Sequence, residues 1–64
     1  MVSSKRDLVW IELMRYDQRA WTVQQMQERI EQDVHESTVR RVFKSAVESG
    51  LMSHEKHGKI YYLN

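Results

Sequence analysis

The chain has 64 residues with two glycines, no proline and no cysteine, and a formal net charge of +1. That length accommodates one domain, the missing thiols exclude disulfides and thiolate metal sites, and no apolar run is long enough to span a bilayer. The charge is unevenly divided: residues 1–33 carry five basic and six acidic side chains, whereas residues 34–64 carry five basic, three acidic and all three histidines, so a basic face is expected in the second half.

The first helix is expected over about 4–17. Ser3 and Ser4 are capping residues, and Asp7 follows in the first turn, near the positive end of the helix dipole. Its apolar residues Leu8, Val9, Trp10, Ile11, Leu13, Met14 and Tyr16 spread around most of the circumference instead of forming one stripe. Such a helix needs cover on more than one side. A core this small supplies only about 3–5 kcal/mol, so a second copy of the chain is one candidate cover, with Trp10, Leu13 and Met14 at the contact. A central core helix with some exposed apolar surface is the other reading.

Asp17 to Ala20 is polar and turn-like, and Ala20-Trp21 is a candidate short strand. Thr22 with Gln25 three residues on forms a capping box, which opens a second helix over about 22–32. Val23, Met26 and Ile30 fall on one stripe at the helical period, with Gln24, Gln25, Glu28 and Glu31 opposite. Glu31 to His35 is a turn in which Val34 plugs the space between helices.

A third helix is expected over about 36–49. Val39, Val42, Phe43, Ala46 and Val47 make its buried stripe; Ser37, Arg40, Arg41, Lys44 and Glu48 project on the other side. Gly50 is the expected residue in the left-handed conformation that ends it. A hairpin then spans 51–63, with strands Leu51 to Glu55 and Lys59 to Leu63 and a turn at Lys56-His57-Gly58 whose glycine takes a positive φ. Trp21 is a candidate for a third, short strand.

Two short amphipathic helices, a tight turn, a glycine stop and a β-hairpin, in that order from Trp21 to Leu63, resemble the winged helix-turn-helix family. The implied fold is α+β: three helices plus a C-terminal hairpin in a two- or three-stranded sheet. His35 stands where the family usually places Ser or Thr as the cap of the recognition helix. The resemblance implies sequence-specific binding of double-stranded DNA by a small regulator, commonly as a homodimer, with the third helix in the major groove. In that setting Arg41 and Lys44 reach base edges, Arg40 meets phosphate, and the hydroxyls and free N–H groups of Ser37 and Thr38 suit a phosphate. Lys56, His57 and Lys59 on the hairpin tip supply backbone contacts. The competing reading of the helix stripe is a solvated face, basic for solubility.

Two other functions fit the same elements. A winged helix also serves as a protein-docking module, which the low net charge suits, or as an architectural DNA-bending factor in phage recombination. His54 and His57 are three apart, but on a hairpin this spacing does not put two imidazoles on one face, so no metal is expected. No nucleophile–base pair or phosphate-cradling loop is present, so an enzyme is not expected. No cofactor and no small-molecule effector is expected in so small a domain. With no signal-peptide pattern, the expected location is the cytoplasm, away from membranes.

Overall fold

The computed structural model describes residues 4–55 and 58–64. In chain order it contains α1 (Lys5–Met14), β1 (Ala20–Trp21), α2 (Val23–Arg29), α3 (Glu36–Glu48), β2 (Met52–His54) and β3 (Tyr61–Leu63). The fold is small α+β: three helices against a three-stranded antiparallel sheet of order β1-β3-β2. Both pairings share the central β3, with Ala20 opposite Tyr62, Trp21 opposite Tyr61, and Met52, Ser53 and His54 opposite Leu63, Tyr62 and Tyr61.

Local chemistry explains where the helices start. Ser4 Oγ accepts the Asp7 N–H at 3.2 Å and opens α1. At α2 the capping box closes in both directions: Thr22 Oγ1 accepts from the Gln25 backbone at 3.0 Å and Gln25 Oε1 accepts from the Thr22 backbone at 3.1 Å. At α3 the His35 ring does the work of a Ser or Thr, its Nδ1 accepting the Ser37 N–H at 3.1 Å.

The helix ends are less regular. The first helix stops at Met14, short of the expected Asp17, because Arg15 and Tyr16 bond back to Glu12 and Leu13 and tighten the last turn. Tyr16 then takes φ 56, a left-handed conformation disfavoured for any side chain with a Cβ. The second helix ends at Arg29, not near residue 32, since Ile30 is already extended at φ −85, ψ 125. Only α3 ends on its expected signal. Gly50 at φ 81 donates to the Val47 carbonyl at 3.1 Å, and Leu51 donates to that of Ala46 at 2.9 Å, the paired bonds of a Schellman stop.

The core lies between the sheet and the three helices. Val9 and Leu13 of α1, Trp21, Met26 of α2, Val39, Val42, Phe43 and Ala46 of α3, Met52 and Leu63 are all buried, and Val34 fills the α2–α3 corner at 3 % exposure. Gln27 Nε2 donates to the Val34 carbonyl at 2.9 Å and holds that corner shut. The sheet is covered on one side: Leu63 is buried and Tyr61 half-buried, while Tyr62 between them is exposed.

One expectation is corrected outright. Leu13, assigned to a self-association contact, is 1 % exposed and packs inside its own core. Trp10 is half-buried against the same core. Met14, the third residue named for that contact, is outward (41 %), as are Ile11 (50 %) and Tyr16 (57 %), because α1 turns the Val9–Leu13 side inward.

An ionic clamp ties α1, α2 and the turn before β1. Arg29 Nε lies 3.3 Å from Glu12 Oε2, and the Arg29 guanidinium also pairs with Asp17 and stands 5.6 Å over the Trp21 ring. Glu12 Oε2 is buried and lacks a hydrogen bond of good geometry, so proximity to Arg29 is its main compensation. No helix among the described residues is long and apolar enough to cross a membrane.

Candidate nucleic-acid interface

The third helix divides cleanly. Its thirteen residues bury Val39, Val42, Phe43 and Ala46 on one side. At 100° per residue the opposite side centres on Ser37, Arg41, Lys44 and Glu48, with Arg40 on one flank; all five are exposed. Among the described residues Arg41 and Lys44 form no ion pair, whereas Arg40 lies 3.5 Å from Glu36 one turn back.

Thr38 is half-buried on the other flank. Its N–H goes to the His35 carbonyl at 3.0 Å, and the Ser37 N–H goes to the His35 ring. The expectation that these two residues offer free N–H groups to a phosphate is therefore corrected, because the cap has already used them. The Ser37 hydroxyl lies 2.9 Å from His35 Nδ1 and stays at the surface.

The hairpin meets α3 on the Arg40 side. An open groove of about 650 Å³ runs between the start of α2, the first turns of α3 and the β2–β3 hairpin. Arg40 lines one wall, Lys59 and Gly58 the other, and Gln24 and Gln27 its end towards α2. Arg40 and Lys59, nineteen positions apart in the chain, thus border one groove, while Arg41 and Lys44 lie on the outer stripe beside it. Lys56 and His57, also expected at this interface, lie outside the described residues.

Aromatic packing sets the position of the hairpin. Tyr61 tilts against Phe43 of α3 with ring centroids 4.7 Å apart, and His54 stacks on Tyr61 at 4.1 Å with the planes 7° apart. His54 and Gln24 were not read as site residues from the sequence. The expected turn at 56–58 sets His54 opposite Ile60, whereas the observed register sets it opposite Tyr61, so the stack had no signal in the sequence. Nothing local in the sequence marks Gln24, which reaches the groove through the angle between α2 and α3.

Among the described residues no three His, Asp or Glu side chains converge. Comparison with protein-family models, curated proteins and solved structures returned no match to this chain.

Proposed function

We propose that this protein binds double-stranded DNA as a small cytoplasmic regulator of winged helix-turn-helix type. The observation that carries the reading is the exposed Ser37–Arg41–Lys44 stripe of α3, flanked by a groove to which Arg40 and the hairpin residue Lys59 both contribute. A major groove about 12 Å wide admits one α-helix. With α3 in it, Arg41 and Lys44 stand where base-edge acceptors lie, and Arg40 and Lys59 flank the path of one phosphate backbone. The hairpin then acts as the wing.

Replacing Arg41 and Lys44 together by Ala tests this directly. Both side chains are exposed, so the thermal midpoint should hold while affinity for duplex DNA selected by the wild-type protein falls at least tenfold, about 1–3 kcal/mol per base contact. Equal affinity of the double variant would remove the assignment.

A protein-docking role is the second reading, favoured by the apolar Ile11, Met14 and Tyr16 surface. The two separate on salt. Binding to generic duplex that weakens by orders of magnitude between about 50 and 200 mM salt marks the DNA reading; a docking module shows little binding at either.

A further inference from the structure

The stacked rings of the hairpin end differently at their two ends. In the core, Phe43 and Tyr61 meet at 54°, and packing closes that end of the series. At the surface, His54 lies within 7° of parallel to Tyr61, an arrangement that a further flat ring extends by offset stacking. Tyr61 occupies only one face of the imidazole. His54 is exposed, and among the described residues no second aromatic ring stacks on it. Its side chain lines the same groove as Arg40 and Lys59, whose volume of about 650 Å³ lies within the range of a small-ligand site. Gln24 is exposed in that groove, and its amide holds only a 3.4 Å contact to Glu28. Glu36, the carboxylate among the described lining residues, lies 3.5 Å from Arg40.

We propose that this groove takes one unpaired nucleotide of a DNA strand, its base stacked on the outer face of His54 and its phosphate between Arg40 and Lys59. A nucleotide needs a flat ring to stack on, cations for its phosphate and polar groups for its base edge. His54, the Arg40 and Lys59 pair, and Gln24 supply these in that order. Stacking of this kind tolerates any sequence, because every base has a π-face. A paired base reaches the groove only by leaving the duplex, at a cost that is least where the base is already unpaired. The ligand class is therefore duplex DNA interrupted by an unpaired nucleotide, with α3 on the flanking duplex. This rests on the DNA reading and narrows it. A free nucleotide carries the same chemistry but lacks the duplex contacts of α3.

Fluorescence anisotropy of the full chain with labelled duplexes of one flanking sequence tests this. One duplex is intact, one carries a single unpaired adenine, and one carries an abasic residue at the same place. The abasic probe keeps the bulge and its phosphates and lacks only the base. The adenine probe should bind about fivefold or more tighter than the abasic probe, the least that one base–aromatic stack contributes. His54→Ala should bring that ratio to about one, and His54→Phe, which keeps a flat ring, should retain it. In the wild-type chain, amide shifts that differ between the adenine and abasic probes should centre on His54 and Gln24, a readout that needs no variant. Equal affinity for the two probes, or a preference that His54→Ala retains, overturns the stacking site. If the intact duplex binds and the adenine gains nothing over the abasic residue, the DNA reading stands without this site. If no duplex binds at low salt, both fall. Adenosine monophosphate should bind far more weakly than the adenine probe, since it lacks the linked duplex contacts; equal affinity would make a free nucleotide the ligand and remove the strand.

Discussion

His54 lies flat on Tyr61, ring centroids 4.1 Å apart, and Tyr61 in turn touches Phe43 inside α3. The series runs from the centre of the core to the outer strand of the hairpin. It packs the hairpin against α3, whose Arg40 borders the same groove as Lys59. His54→Ala removes the outer ring and should cost about 0.5–1 kcal/mol, a value typical of a cross-strand aromatic pair. In a domain of this size that is a fall of about 2–8 °C in Tm. Calorimetry checks it; an unchanged Tm would mean that the hairpin is anchored without the stack.

His35 is an unusual helix cap. Its ring nitrogen accepts the Ser37 N–H, a role in which Ser, Asn and Asp are ranked highest. His35→Ala should lose about 0.5–1 kcal/mol, and His35→Asp should gain a few tenths or more, because a carboxylate also favours the positive end of the α3 dipole. Urea unfolding of the two variants reads both directions, and a destabilised Asp variant would show that the ring is retained for its packing or its neighbours instead of its cap.

The Arg29 clamp was invisible as a unit in the sequence. Arg29→Ala leaves the buried Glu12 Oε2 with only the more distant Arg15 Nε at 3.9 Å and removes the cation over the Trp21 ring, with an expected cost of about 1–3 kcal/mol. Adding Glu12→Gln should return part of that loss, since a neutral amide is cheaper to bury than a lone carboxylate. A double-mutant cycle measures the coupling; additive effects would mean that Arg29 acts through Trp21 and Asp17 alone.

Periodicity and turn chemistry carried most of the fold. The Thr22-Gln25 box, the Val39–Ala46 stripe, Val34 as a plug and Gly50 as a stop are each local signals with one structural meaning, and each sits where it was expected. What local signals do not encode is the angle at which elements meet. The expected Leu13 contact is core, because the inward side of α1 depends on how it crosses α3. Nothing in Met14-Arg15-Tyr16-Asp17 announced a stop, as the chain turns there on a left-handed tyrosine and not on a glycine. Within the candidate interface the α3 stripe followed from helical spacing, but the groove shared by Arg40 and Lys59 is tertiary.

That groove gives the last prediction its form. If one phosphate backbone passes between Arg40 and Lys59, each cation neutralises a phosphate and releases a counterion when duplex binds. Removing either should make log affinity less steep in log salt by about 0.9, the contribution of one phosphate on B-form DNA. Arg40→Ala and Lys59→Ala should therefore weaken all duplexes nearly alike, whereas Arg41→Ala should weaken the preferred sequence most. Glu36→Gln works in the opposite direction. Glu36 holds Arg40 at 3.5 Å and adds a negative charge beside the DNA path, so its neutralisation should strengthen binding while the exposed pair itself contributes little to stability, about 0.3–0.5 kcal/mol. Fluorescence anisotropy titrations at several salt concentrations separate these effects. A salt slope that Arg40→Ala and Lys59→Ala leave unchanged would place the DNA backbone elsewhere, even with α3 in the major groove.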